Sequence, residues 1–99
     1  MKEYKVELTE LAQEDLQRAK EFYDLQADFL RNYFIDSIFI DLESLRFYGG
    51  IHNRVYGFYK MLAKRFPYAI YYEIEEDKVV VHAILDTRQN PLKVKKRLK

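Results

Sequence analysis

The feature that most restricts the fold is an alternation of apolar side chains in the second half of the chain, within RFPYAIYYEI. The apolar positions recur at every second residue, at Phe66, Tyr68, Ile70, Tyr72 and Ile74. The intervening positions, from Arg65 to Glu73, are mixed. Successive side chains of a β-strand point to opposite faces of a sheet. The pattern therefore predicts a strand that packs one face on a core and offers the other face to a different contact.

Three further segments have strand character, and the first half of the chain has helical periodicity. The predicted strands are residues 4–8, 54–62, 65–75 and 78–85. Glu76 and Asp77 form a tight polar turn between the last two strands, which is typical of a hairpin. Thr9 is suited to cap a first helix of about four turns. The apolar stripe of that helix is Ala12, Leu16, Ala19 and Tyr23.

Residues 24–28 interrupt the helical pattern, and a second helix is predicted from about residue 28 to residue 47. Its apolar stripe consists of Leu30, Phe34, Ile38, Leu42 and Leu45. Other large apolar residues lie off that stripe: Phe29, Tyr33, Ile35, Phe39 and Ile40. One sheet face cannot easily cover so wide a surface. Either the flanking helix covers these residues, or part of the second helix is a docking surface for a partner chain.

The order of these elements predicts an α+β fold, β-α-α-β-β-β followed by a basic C-terminal tail, with a helical hairpin on one face of an antiparallel sheet. A chain of 99 residues is expected to form a single domain, residues 1–99. The sequence has no cysteine, no signal-peptide pattern and no apolar run of membrane-spanning length. We therefore expect a cytoplasmic protein without disulfides and without a membrane partner.

The net charge of +1 conceals an uneven distribution of charge. All the charged residues of segment 88–99 are cations, and a second acid-free window covers residues 44–72. Charge separated in this way predicts a basic surface for an anionic partner, either nucleic acid or an acidic peptide. The alternative is that the terminal lysines only keep the protein soluble.

No motif for metal binding, cofactor binding or nucleophilic catalysis stands out. His52 and His82 are not at ligand spacing, so we expect neither a metal nor a cofactor. What remains is a set of cations and proton carriers along the predicted sheet: Arg54, Lys60, Lys64, Arg65, Tyr71, His82 and Arg88. Cations clamp phosphate groups, and a nuclease built from them needs a side chain such as Tyr or His to move protons.

Two segments, YKVELTELAQEDLQRAKEFYD and RFPYAIYYEIEEDKVVVHAILDTRQNP, resemble the RelE/ParE superfamily of toxins from type II toxin–antitoxin systems. The resemblance covers nearly the whole chain. It implies two N-terminal helices on one face of a curved antiparallel sheet, with a concave basic face on the other side. It also implies an antitoxin whose acidic or amphipathic C-terminal segment wraps the toxin. The expected antitoxin contacts are then Phe29, Tyr33, Ile35, Phe39 and Ile40.

The superfamily contains two activities. RelE-like members cut mRNA in the ribosomal A site, which here implies the catalytic set Arg88, Arg65, Lys60, Tyr71 and His82. ParE-like members poison DNA gyrase, and the implied target-binding cations are Arg54, Lys60, Lys64, Arg65 and Arg88. The segment after Arg88, QNPLKVKKRLK, holds no tyrosine, and the FPY strand with its R-x-x-P loop is more similar to ParE. We therefore expect a ParE-like gyrase inhibitor of a plasmid-stabilising pair, with an endonuclease and a non-toxic peptide-binding domain as alternatives.

Overall fold

The computed structural model describes residues 2–99, in which two long helices precede most of the strands. In chain order the elements are β1 (Lys5–Leu8), α1 (Glu10–Gln26), α2 (Asp28–Tyr48), β2 (Arg54–Val55), β3 (Phe58–Leu62), β4 (Tyr68–Glu75), β5 (Lys78–Asp86) and α3 (Pro91–Leu98). Both long helices lie over one sheet, so the predicted α+β class is confirmed.

The five strands lie in the order β1-β5-β4-β3-β2. Neighbouring strands from β2 to β5 are antiparallel, as predicted. At the other edge β1 is parallel to β5, with Lys5 opposite Lys78 and Leu8 opposite Val81. Parallel neighbours require a long crossover connection, which the helical pair and the intervening strands supply. The sheet is therefore mixed at this edge.

The strand predicted at residues 54–62 is in fact two strands joined by a tight turn. Tyr56 and Gly57, which link β2 to β3, have φ values of 54° and 85°. Both values lie in the left-handed region that two-residue hairpin turns require. A tyrosine in place of the usual Asn or Asp hid this turn in the sequence. The next strand is shorter than predicted and begins at Tyr68, because Pro67 has no N–H for a ladder hydrogen bond.

Local hydrogen bonds set the helix boundaries. The Thr9 hydroxyl accepts a hydrogen bond from the Ala12 N–H at 3.1 Å, which caps α1 as predicted. The predicted interruption at residues 24–28 is limited to Ala27, which is extended between α1 and α2. The two helices therefore meet at a sharp corner and pack against each other.

The core lies between the helical pair and one face of the sheet. The even-numbered residues of β4 point into it, and Ile70 and Tyr72 have no exposed surface. Their helical partners in this cluster include Ala12, Phe34, Ile38 and Leu45, all almost completely buried. The predicted orientation of the alternating segment is confirmed.

The face of the sheet away from α1 and α2, which we call the outer face, is partly covered by α3. The buried cluster on this face consists of Ala69, Tyr71, Ala83 and Leu98. Val94, one helical turn before Leu98, packs against the same cluster. The outer face, which the resemblance predicts to be concave and basic, is therefore occupied by an apolar contact where α3 lies, because the basic tail forms a helix. Asn90 caps this helix by accepting a hydrogen bond from the Leu92 N–H at 2.9 Å.

Candidate functional site

The five predicted target-binding cations do not lie together on one surface of the protein. Lys60 lies on the outer face opposite Tyr71, and its Nζ is 5.9 Å from the centroid of the Tyr71 ring. Arg54 lies on the opposite face, because its register partner Tyr59 stacks on the core residue Tyr72. The Arg54 guanidinium carbon is 4.6 Å from the centroid of the Tyr59 ring. These two cations therefore pack on tyrosine rings on opposite sides of the sheet.

The other three predicted cations lie at one end of the sheet. Lys64 and Arg65 are exposed in the loop between β3 and β4, and Arg88 is exposed in the loop between β5 and α3. Hydrogen bonds from the backbone N–H and the hydroxyl of Thr87 to the Pro67 carbonyl oxygen join the two loops, at 2.8 and 3.1 Å. We call Lys64, Arg65 and Arg88 the basic rim. Three of the five predicted cations thus lie in adjoining loops.

A buried carboxylate of α2 fixes the first of these loops. Asp41 is 3% exposed, and its Oδ2 accepts a hydrogen bond from the Lys64 backbone N–H at 3.2 Å. The sequence did not single out Asp41, because an isolated acid in a helix usually faces solvent. The backbone of the basic rim is therefore tied to the helical layer.

The charge of Arg88 is partly neutralised by its own loop. Its Nε and Nη2 donate to the two carboxylate oxygens of Asp86 at 3.0 and 2.8 Å, and its backbone N–H donates to Oδ1 at 2.8 Å. These hydrogen bonds lower the pKa of Asp86 and raise the pKa of Arg88. The nearby Tyr68 is buried, which raises its pKa to about 12. An anionic partner must therefore compete with Asp86 for the Arg88 guanidinium.

The predicted catalytic set of the endonuclease is divided between two places. Lys60, Tyr71 and His82 lie on the outer face, whereas Arg65 and Arg88 lie in the basic rim. Tyr71 is 3% exposed in the cluster covered by α3, and burial raises its pKa. The Nε2 atom of His82 is also buried. The two predicted proton carriers are therefore poorly placed to reach a substrate.

The helix α2 presents an apolar stripe to solvent on the side opposite the core. The α2 stripe, as we call it, consists of Phe29, Tyr33, Ile40 and Phe47. At about 100° per residue, these four side chains lie within about 40° of one another around the helix. Their exposed fractions are 71%, 47%, 56% and 45%. The interpretation that the flanking helix covers the apolar residues off the core face is wrong for Phe29, Tyr33 and Ile40.

The remaining predicted antitoxin contacts differ in exposure. Phe39 is 60% exposed but lies about 80° or more around α2 from the α2 stripe, whereas Ile35 is half-buried. Phe47 was not predicted as a contact, although it follows Ile40 by seven residues, a spacing that keeps two side chains on one side of a helix. The exposed apolar surface of α2 is therefore longer than the sequence pattern indicated.

A cleft of ≈ 370 Å³ lies between the last turns of α2 and the end of β3. Its lining includes Tyr48, Ile51 and Leu62, and Ile51 is 71% exposed. The cleft was not predicted, because Ile51 stands in a glycine loop and Leu62 is the last residue of its strand. The cleft therefore adds exposed apolar side chains near the C-terminal end of α2, among polar residues that include Asp41 and Lys64.

His52, which also lines this cleft, is anchored to the core residue Tyr72. The Tyr72 hydroxyl accepts a hydrogen bond from the Gly50 backbone N–H at 2.9 Å and lies 2.5 Å from Nδ1 of His52. Gly50 has a φ of 96°, a conformation that favours glycine. Burial lowers the pKa of His52, which favours the neutral imidazole. Its Nδ1 can then accept a hydrogen bond from the Tyr72 hydroxyl.

A helical pair over a sheet, with a basic rim at one sheet end and an exposed apolar helix face, is the α+β architecture that the sequence resemblance implies. The sequence model of the family described as the ParE toxin of type II toxin–antitoxin system, parDE, matches residues 6–91. The chain therefore belongs to the ParE toxin family, and the predicted membership of the RelE/ParE superfamily is confirmed.

Solved structures support the same fold. The chain is similar to one in the structure entitled "Chromosomal ParDE TA system from P. aeruginosa", with a TM-score of 0.77 and 14% sequence identity. The alignment covers 86% of this chain and 97% of that chain, and at this identity the similarity concerns the fold alone. A comparison with curated proteins gives no match. Between residues 2 and 99, no helix combines the length and apolar character needed to cross a membrane.

Proposed function

We propose that this chain, with residues 1–99 as one domain, is the cytoplasmic toxin of a plasmid-stabilising toxin–antitoxin pair and inhibits DNA gyrase by binding. Membership of the ParE toxin family supports the toxin class. The preference for gyrase over mRNA rests on one observation, the burial of Tyr71 in the cluster covered by α3. A general acid or base must reach the proton that it transfers and needs a pKa near the working pH. Tyr71 meets neither condition, whereas inhibition by binding needs no proton carrier.

A ribosome-dependent mRNA endonuclease is the second candidate, and the basic rim favours it. Three cations in adjoining loops suit a phosphate backbone. One of them, Arg88, is already engaged by Asp86. The same rim serves equally well to bind an acidic protein surface. We therefore assign the basic rim, with Arg54 and Lys60 as outlying cations, to target binding.

We propose that the cognate antitoxin neutralises the toxin by covering the α2 stripe together with Phe39 and Ile35. Exposed apolar patches of this length on small proteins usually mark an interaction site. The spacing of the stripe along α2 suits an amphipathic partner helix laid beside it. The cleft lined by Ile51 and Leu62 offers an apolar pocket to the next part of the same segment.

Controlled expression in bacteria distinguishes these candidates. Gyrase inhibition predicts filamentous cells, an SOS response and gyrase-dependent DNA breaks, while mRNA ends mapped by primer extension stay unchanged. Codon-positioned mRNA cuts in cells with intact chromosomes would establish the endonuclease instead. Normal growth at verified expression would favour a peptide-binding domain without toxicity. Co-expression of the antitoxin should restore growth in the first two cases.

A further inference from the structure

Three potential metal ligands meet on the outer face, at the hairpin between β4 and β5. Glu73 and Glu75 stand two residues apart on β4 and therefore point to the same side of the sheet. His82 stands on β5. The ligand atoms of the three side chains all lie within 4.8 Å of one another. An imidazole and two carboxylates form a donor set of the kind that zinc accepts.

An irregularity in the sheet places the imidazole in this group. Tyr72 pairs with Val81 and Tyr71 pairs with Ala83, so His82 is an extra residue of β5 with no residue directly opposite. Such a bulge changes the direction of a side chain from the one it would have in a regular strand. The ring of His82 lies beside Phe58, with ring centroids 5.1 Å apart. Phe58 therefore restricts the ring on one side, and Glu73 approaches its nitrogen.

The nitrogen nearest to Glu73 makes no hydrogen bond in the described part of the chain, although it is close enough for an ion pair with Glu73 when the imidazole is protonated. Nε2 of His82 is buried and makes no hydrogen bond within residues 2–99. It lies 3.3 Å from Oε2 of Glu73, in a geometry that does not form a hydrogen bond. Buried polar atoms nearly always have a partner. A buried lone pair next to two carboxylates is the arrangement that a bound cation satisfies.

Neighbouring charges leave the two carboxylates available. The register partner of Glu75 is Lys78, the cation placed to neutralise it. The Nζ of Lys78 instead lies 3.5 Å from Oε2 of Glu7, on the adjacent strand β1. The two carboxylates therefore offer a charge of about −2 to a divalent cation.

We propose that Glu73, Glu75 and His82 bind a first-row divalent cation, with Zn²⁺ as the best fit. Zinc bonds to carboxylate oxygen and imidazole nitrogen at about 2.0–2.2 Å, so the ligand atoms need to lie about 3–3.5 Å apart. Small rotations of the two glutamate side chains achieve this, since neither carboxylate accepts a hydrogen bond from residues 2–99. Water completes the coordination. The ion joins β4 to β5 across the hairpin and stabilises the folded chain by mass action.

The sequence predicted no metal site, because that expectation considered only the spacing between histidines. The carboxylate pair and the histidine come from two strands of one hairpin, and the register of that hairpin brings them together. The site lies on the outer face, whereas the proposed antitoxin surface lies on α2. Its test is therefore independent of toxicity.

The test uses the full chain without a histidine tag, stripped with EDTA and titrated with zinc chloride. We expect one equivalent of zinc to bind in calorimetry, the melting temperature to rise, and the imidazole NMR signals of His82 to move while those of His52 stay in place. His82→Gln and Glu73→Gln should each weaken binding by at least about tenfold. Glu76→Gln, in the adjacent turn, should bind zinc like the parent protein.

Folding of each variant is checked by its circular dichroism and its melting temperature without metal. Glu75→Gln provides a third variant if His82→Gln unfolds, because Glu75 is exposed and contributes little to packing. Equal zinc affinity in the parent and all folded ligand variants would overturn the proposal. Shifts confined to His52, or no saturable zinc binding by the parent protein, would overturn it as well.

Discussion

The carboxylate of Asp15 and the guanidinium of Arg97 form two hydrogen bonds of 2.8 Å across the edge of β5. Asp15 Oδ2 also accepts the Ile84 backbone N–H at 3.0 Å, and Arg97 donates to the His82 carbonyl oxygen at 3.1 Å. β1 pairs with β5 only as far as Val81, so these backbone groups lie beyond the end of the neighbouring strand. The ion pair therefore takes the place of a strand partner and joins α1 to α3.

Replacing Asp15 with alanine should lower the free energy of unfolding by about 3–5 kcal/mol, because it leaves the Arg97 charge and the Ile84 N–H without partners. Urea unfolding followed by circular dichroism measures the loss. Arg18→Ala is the matched control: its Nη2 is also 2.8 Å from Asp15, but its side chain is 65% exposed. The control should cost less than about 1 kcal/mol. Similar losses in both variants would contradict the role given to the Arg97 pair.

Removing the apolar contact of α3 should also destabilise the fold. Leu98→Ala deletes a buried side chain from the outer-face cluster, and we expect a loss of about 2 kcal/mol in the free energy of unfolding. Leu92→Ala changes the same residue type in the same helix, but Leu92 is 70% exposed. Its effect should stay within about 0.5 kcal/mol. If Leu98→Ala changes the free energy of unfolding as little as Leu92→Ala does, the packing of α3 on the sheet does not stabilise the fold.

The α2 stripe should determine affinity for the antitoxin. Phe29→Ala and Ile40→Ala remove exposed side chains, so the toxin should keep its melting temperature. Each change should weaken antitoxin binding in calorimetry by about 1–2 kcal/mol or more if the residue is a binding hot spot. Leu11→Ala on α1, with a side chain that is 56% exposed, provides the control. Unchanged affinity in both stripe variants would place the antitoxin elsewhere.

The basic rim should determine toxicity. Arg65 is exposed and makes no salt bridge within residues 2–99, so its full charge is free for a target. Arg65→Ala should reduce killing on induction and inhibition of gyrase supercoiling, with no change in melting temperature. Lys5→Ala, an exposed cation at the opposite edge of the sheet, should remain fully toxic. Equal toxicity of all three proteins would rule out the rim as the target surface.

The partly buried imidazole of His52 should make stability depend on pH. Its pKa is lowered by burial, whereas an unfolded histidine has a pKa of about 6.5. The unfolded chain therefore binds more protons below that value, and stability rises with pH. The contribution is fully present above about pH 6.5 and is lost as the pH falls through the folded pKa. Asp86, whose pKa is lowered from 3.8, titrates in a more acidic range.

Urea unfolding of the parent protein and of His52→Gln, measured between about pH 7.5 and pH 5, checks this expectation. The free energy of unfolding of the parent should fall toward acid. The variant should be less stable than the parent near neutrality, because the bond to the Tyr72 hydroxyl is weakened, but its pH profile should be flatter. Parallel profiles would show that protonation of His52 is not linked to folding.

Much of the fold followed from local signals in the sequence. The alternation around Ile70 predicted which face of β4 meets the helices, and Thr9 predicted the start of α1. These signals act within one or two turns, or along one strand, so they can be read without knowing any tertiary contact. The turn at Tyr56 and Gly57 escaped detection because Tyr56, its first residue, is of a type that rarely adopts a positive φ.

The site was less predictable because its geometry depends on pairing between strands. Odd and even positions in the sequence cannot show that Arg54 and Lys60 lie on opposite faces, because a turn separates β2 from β3. Likewise, the bulge at His82 changes the face of every later residue of β5 by one position. Val94 and Leu98 belong to a short basic helix, and the contact they make with the sheet appears only in three dimensions.

The contacts of α3 indicate one class of mutation that should inactivate the protein. Arg97 anchors the edge of β5, and its neighbour Leu98 covers the outer face. A frameshift just upstream of these two codons would remove both supports at once while leaving the basic rim and the α2 stripe intact in sequence. Mutants selected for loss of toxicity should therefore include lesions in the codons of residues 91–98, with products that are less stable than the parent protein.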